Sequence, residues 1–256
     1  MNLNGLTCLV TGSTGSLGSA ITLAMADAGC HCICHYHTNK QKAESLVRQI
    51  KAMGLKALAV PADLRDISQI DLLFEQCCTF GDIRILINSA AIFIRRSLAE
   101  ITGDTIREML AVNLTAPLIA CRNLATRLHL KNSCKPDQAP YAKIINLVDI
   151  GGIRPWADYA EYCASKAALI AATKSLAKEL APVATVNAVA PGIILPDAAA
   201  ATQADFNHMP DTQKRLDAIP LGRFGVAAEI VHAVLFLLSN DYITGQVIQV
   251  DGGRVI

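Results

Sequence analysis

Hydrophobic residues in this chain come in short runs with little apolar–polar alternation. Residues 7–10, 31–35, 57–60, 83–88, 143–148, 185–189 and 246–250 form such runs. A strand that is apolar on both sides of its pleat is buried on both faces, as in a parallel sheet. Between the runs lie longer stretches with apolar positions three and four apart, which predict helices. The first follows a Gly-rich turn and reaches about residue 28. Others are expected at about 40–53, 68–80, 104–130, 159–180 and 227–238. Ser68-Gln69-Ile70-Asp71 reads as a capping box for the third. Strands alternating with helices predict an α/β fold: one doubly wound domain, a parallel sheet of about seven strands with helices on both faces. The domain is expected to span residues 1–256, with one half at about 1–140 and a second at about 141–256. The segment 131–142 is polar and contains Pro136 and Pro140, which predicts a loop; 193–220 is irregular and Pro-punctuated, which predicts a flap.

Composition narrows the classes further. Apolar residues make up 52% of the chain and charged residues 18%, enough for a large core and against disorder. The net charge of +1 provides no field for nucleic acid or an anionic membrane. Met1-Asn2-Leu3-Asn4 lacks the basic and apolar regions of a signal peptide, and no run reaches the length of a membrane helix. A soluble, cytoplasmic protein is expected. The nine cysteines are odd in number and include no C-x-x-C pair, which argues against a disulfide framework. Cys30, Cys32 and Cys34 interleave with His31, His35 and His37. An extended strand sends the cysteines and His31/His35 to opposite faces, so no metal site is expected.

The first strand ends in Thr11-Gly12-Ser13-Thr14-Gly15-Ser16-Leu17-Gly18 and a helix follows. A strand, a Gly-rich turn and a helix N-terminus form an anion site, and in the first β-α unit of this fold that anion is a dinucleotide pyrophosphate. An NAD site usually carries a carboxylate at the end of the second strand, for the ribose 2′-hydroxyl. Here that position reads Cys34-His35-Tyr36-His37-Thr38-Asn39-Lys40, with no acid before Glu44. Imidazole, amide and ammonium donors suit a 2′-phosphate, which points to NADP(H) held by His37, Asn39 and Lys40.

Tyr162 and Lys166 lie four residues apart on a predicted helix, one turn apart on one face. An ammonium near a phenol lowers its pKa and makes it a proton donor at neutral pH. Asp149 stands thirteen residues before Tyr162, where an apolar strand stops.

With these motifs the chain resembles the short-chain dehydrogenase/reductase family along its whole length. The resemblance rests on Thr11–Gly18, Asp63, Asn88-Ser89-Ala90-Ala91, Asn113, Tyr162/Lys166, Pro191-Gly192 and Asp251-Gly252-Gly253. It implies hydride transfer between a nicotinamide and a carbonyl, alcohol or C=N group. Tyr162 would donate the proton, Lys166 would bind ribose and tune Tyr162, and Asn113 would hold a relay water. The cofactor would meet Gly12, Ser13, Thr14, Gly15, Ser16, Leu17, Asp63, Leu64, Ser89, Ala90, Ala91, Pro191, Gly192 and Ile193. Most of the family has serine where this chain has Asp149, and glycine where it has Ser16.

The aspartate is similar to that of the pteridine reductase branch, which includes dihydromonapterin reductases. His35-Tyr36-His37, Phe93, Asn146-Leu147-Val148-Asp149 and the Pro191-Gly192-Ile193-Ile194-Leu195 loop agree with it. That branch often carries arginine at Ser16, and this chain does not. The resemblance implies a pterin or dihydropterin substrate contacting Phe93, Asp149 and Leu195. The alternative is a carbonyl reductase, such as a 3-oxoacyl thioester reductase. A non-catalytic NADP-binding sensor is the third reading. Family members commonly form tetramers, so a homotetramer or homodimer is expected.

Overall fold

The computed structural model describes residues 1–131, 140–195 and 212–256. Its centre is a parallel sheet of β1 (Thr7–Thr11), β2 (His31–Tyr36), β3 (Ala57–Pro61), β4 (Ile83–Asn88), β5 (Ala142–Leu147), β6 (Ala184–Pro191) and β9 (Val247–Val250). The strand order is β3-β2-β1-β4-β5-β6-β9, so the order reverses between β1 and β4. Helices α1 (Ser16–Asp27), α2 (Lys40–Ala52) and α8 (Ala227–Ser239) cover one face. Helices α3 (Ile67–Cys78), α5 (Ala116–Lys131) and α6 (Ala160–Glu179) cover the other. The remaining helices are α4 (Gly103–Leu110) and α7 (Thr212–Asp217).

Two covered faces explain the unbroken apolar runs. Leu9 and Ile33 pack with Phe74, Leu86 and Leu124, while Cys8, Val10, Cys32 and Cys34 pack with Ile21, Met25 and Leu237. The alternating cysteines are therefore small hydrophobes of the core. Among the described residues no group of three or more His, Cys, Asp or Glu could hold a metal, and no helix is long and apolar enough to cross a membrane.

Two expected helices differ in detail. The cap of α3 is Asp66, not Ser68: its carboxylate accepts from the Ser68 amide at 2.9 Å and the Ser68 hydroxyl at 2.7 Å. A carboxylate at a helix N-terminus also gains from the helix dipole, which a hydroxyl does not. The stretch expected as one helix at 104–130 is α4, a π-turn at Ala111–Thr115 and α5. Asn113 sits in that π-turn with its side chain inward. The expected loop and flap fall mainly on residues 132–139 and 196–211, outside the described residues. Of the flap's ends, β7 (Ile194–Leu195) pairs with β8 (Gly225–Val226).

Candidate active site

At the carboxyl ends of the strands, where the order reverses, a cleft of about 860 Å³ opens. Its first wall is the glycine-rich turn. Gly12 has φ +65°, and a Cβ there would come 2.8 Å from the Ala90 Cα. A Cβ on Gly18 would come 2.2 Å from the Gly12 carbonyl oxygen. The turn is therefore closed down on β4's exit loop as only glycine allows. No side chain caps α1, whose preceding residue is Gly15. Its first N–H groups and dipole face an open cleft, a built anion cradle.

Thr14, Gly15, Ser16 and Leu17 line the cleft with Gly12. Ser13 does not: it is fully buried and its hydroxyl donates to the His35 carbonyl at 3.0 Å. Thr11 Oγ1 accepts the amides of Ser89 (3.0 Å) and Ala90 (3.2 Å), which sets the opposite wall of Ser89, Ala90 and Ala91.

At the far end, His37, Asp63 and Leu64 line the cleft, with His37 Nε2 3.7 Å from Asp63. Asn39 and Lys40 lie off the lining. Asn39 caps α2 by accepting from the Lys42 amide at 3.0 Å, and the Lys40 ammonium lies 3.8 Å from Glu44. Asn39 is used by the helix it caps, while Lys40 is 70% exposed. Arg65 grips both Asp63 oxygens, at 2.7–3.0 Å, and reaches Glu108 at 3.1 Å. Its guanidinium holds the Asp63 carboxyl down at about 2. Arg65 and Glu108 line the cleft and were not expected from the sequence; the signal was a base two residues after Asp63.

At the other end, Tyr162 Oη donates to Asp149 Oδ2 at 2.8 Å, and Asp149 Oδ1 accepts the Gly151 amide at 2.6 Å. Lys166 Nζ donates to the Leu147 carbonyl at 2.8 Å and lies 5.9 Å from the Tyr162 ring centre. All three side chains line the cleft. The expected lowering of the Tyr162 pKa is not found. Burial first, and the neighbouring Asp149 charge second, push the phenol above its ordinary value. Burial pulls the Lys166 ammonium down to about 8, and Asp149 opposes that pull. Burial raises the Asp149 carboxyl, against the Gly151 amide, Tyr162, Lys166 and Arg254. Here the carboxylate, and not the ammonium, is the phenol's partner.

Asn113 is fully buried off the cleft lining. It brackets Ile92, accepting its amide at 2.8 Å and donating to its carbonyl at 2.9 Å, and donates to Ser165 Oγ at 3.1 Å. Its side chain is thus committed to positioning β4's exit loop.

That loop carries Phe93, which lines the cleft and is 57% exposed. Its ring stacks on Tyr159 at 4.9 Å and meets Tyr162 edge-on at 4.7 Å. Tyr159, the residue just before α6, completes an aromatic wall with Phe93 and Tyr162 that was not expected from the sequence. An Arg96–Glu161 ion pair, joined by Thr105 Oγ1 at 3.0 Å from Glu161, ties the loop to α6. Glu161 is only 3% exposed. Arg96→Ala is expected to lower folding stability by about 3–5 kcal/mol, because it strands a buried carboxylate. Urea titration with an unchanged slope checks this.

Pro191 and Gly192 line the cleft as expected. Ile193 instead lines a neighbouring cavity of about 490 Å³. Leu195 corrects another expectation. It is buried against Ile219 and Phe224, while Ile194 lines the cleft. Pairing with β8 extends this segment, and strand alternation then sends neighbours to opposite sides.

Residues 12–254 match the family described as enoyl-(acyl carrier protein) reductase. The chain is 37% identical over 263 residues to the 3-oxoacyl-(acyl-carrier-protein) reductase FabG of Aquifex aeolicus, covering 99% of this chain and 98% of that one. It is 34% identical over 249 residues to the enzyme of the same name from Staphylococcus aureus, covering 96% of each. The chain belongs to the short-chain dehydrogenase/reductase family. As a member of it, the protein is an oxidoreductase. Among solved structures, a blue fluorescent protein from a metagenomic library in complex with NADPH superimposes with TM-score 0.87 at 29% identity, over 100% of both chains. A short-chain dehydrogenase from Burkholderia cenocepacia in complex with NADP gives TM-score 0.87 at 28% identity, again over 100% of both. The Aquifex and Staphylococcus relatives are named for 3-oxoacyl reduction, the second of the activities expected from the sequence, and not for pterin reduction.

Proposed function

We propose that this chain is an NADPH-dependent reductase whose substrate is a 3-oxoacyl thioester. The reading is carried by relatives of that name at 34–37% identity over almost the whole chain. The uncapped α1 terminus, Gly12, and the acid-free end of β2 with His37 fit a dinucleotide with a 2′-phosphate. When bound, NADPH supplies the hydride that reduces the substrate carbon. Tyr162 gives its phenolic proton to the substrate oxygen. Asp149, neutral when burial keeps its proton on, replaces the proton through the 2.8 Å bond or donates to the same oxygen. Lys166, fixed on the Leu147 carbonyl, supplies positive charge beside the phenolate that forms. In this reading Asp149 does as a carboxylic acid what a serine hydroxyl does in most of the family.

A second reading, reduction of a dihydropterin, is favoured by two observations. A carboxylate at Asp149 can accept from the amide and amino groups of a pterin. Phe93, stacked on Tyr159, offers a flat face to a flat ring. Acetoacetyl-coenzyme A and dihydrobiopterin, each with NADPH, separate the two. Thioester turnover is expected; pterin turnover alone moves the function to the second reading, and turnover of neither overturns both.

A further inference from the structure

We propose that His35 is a positioning residue for the dinucleotide: its imidazole and its carbonyl together fix the glycine-rich turn in the shape that presents α1 to the cleft. The inference rests on the dinucleotide reading above.

His35 lies next to last on β2, beside β1, and is 1% exposed. Its Nδ1 lies 3.0 Å from the Gly12 amide nitrogen. Its Nε2 lies 3.0 Å from the Ala62 carbonyl oxygen, just past β3. An amide can only donate and a carbonyl can only accept, so the two neighbours dictate one tautomer. Nε2 carries the hydrogen and Nδ1 is bare. Burial pulls the ring's pKa to about 4, so this neutral form is the one present at neutral pH. The His35 carbonyl oxygen accepts twice more, from the Ser13 amide at 2.9 Å and the Ser13 hydroxyl at 3.0 Å.

One residue thus takes up both amides that open the turn. Gly12 is held at φ +65°, and Ser13 is held behind it. Without the imidazole the Gly12 amide would lose its acceptor, and the turn would lose the fixed backbone against which Gly15 closes, its amide donating to Gly12 O at 3.0 Å. His35 is a core histidine with a function. Although its edge borders the cleft, it is almost wholly buried and acts through Gly12.

The test compares wild type, His35→Ala and His35→Asn. Asparagine can place its carbonyl oxygen where Nδ1 stands and keep the Gly12 bond, while alanine cannot. His35→Ala is expected to raise the Kd and KM for NADPH about tenfold, the weight of one buried hydrogen bond. The KM of the second substrate should stay within about twofold, and His35→Asn should recover most of the cofactor affinity. Equal NADPH affinity in wild type and His35→Ala, or an asparagine variant as weak as alanine, overturns the proposal. A wild type that does not bind NADPH overturns the dinucleotide reading itself. Should His35→Ala fail to fold, nitrogen-15 NMR of the wild-type ring decides. A neutral ring protonated at Nε2, with a protected Gly12 amide, supports the proposal, and an Nδ1-protonated ring overturns it.

Discussion

Tyr162→Phe is expected to lower kcat for NADPH-dependent reduction by about 10²–10⁴-fold, the usual contribution of a positioned general acid. The ring is buried, and phenylalanine fills the same space between Phe93 and Met109. What is lost is the Oη proton and its 2.8 Å bond to Asp149. NADPH affinity should change little, because the glycine-rich turn, His37 and Lys166 remain. Asp149 keeps its Gly151 amide partner, so the fold should survive. Stopped-flow hydride transfer, with cofactor binding measured in parallel, separates loss of chemistry from loss of binding.

Asp149 carries the second large effect, and its sign depends on the substrate. Burial leaves its carboxyl raised in the folded state. Above that raised pKa the ionised side chain costs stability; as pH falls toward the ordinary carboxylate value of about 4, both folded and unfolded chains take the proton and the cost disappears. Asp149→Asn should therefore raise Tm at neutral pH, with a gain that shrinks on acidification. For a 3-oxoacyl thioester, a neutral Asp149 is the useful form, so kcat/KM should fall as pH rises through its ionisation. Asp149→Ser should keep activity and lose that limb. For a dihydropterin the ionised form is the useful one. The limb then runs the other way, and Asp149→Ser costs about 10–100-fold, the weight of a charge-assisted hydrogen bond. Substrate-specific pH profiles of the two variants distinguish these outcomes.

Both effects concern side chains that the sequence marks, but only for Tyr162 does the expected chemistry change: its pKa is raised by burial and Asp149 where a lowering by Lys166 was expected. Four-residue spacing brings Tyr162 and Lys166 to one face of α6, as expected. It says nothing of the Leu147 carbonyl that holds the lysine, or of the carboxylate that reaches the phenol first. Both partners lie at the end of β5 and depend on how α6 packs back on that strand, which local pattern does not encode. The strands were legible because two covered faces demand apolar residues at every position, and Gly12 and Gly18 because no other residue fits against Ala90 and the turn. Ile194 and Leu195 could not be separated, since both are apolar and only pairing with β8 decides which one faces the cleft. Of the wall formed by Phe93 and Tyr159 the sequence marks only Phe93, because Tyr159 meets it only where the Arg96–Glu161 pair ties the loop to α6.

The step we propose for this cleft is hydride transfer from NADPH to a carbonyl carbon. The most direct measurement uses NADPH carrying deuterium at both C4 positions, acetoacetyl-coenzyme A and mass analysis of the product. The expected product is a 3-hydroxyacyl thioester with one carbon-bound deuterium, formed in step with NADP⁺ and formed far more slowly by Tyr162→Phe. Unoxidised cofactor, or a product with no deuterium on carbon, would contradict it.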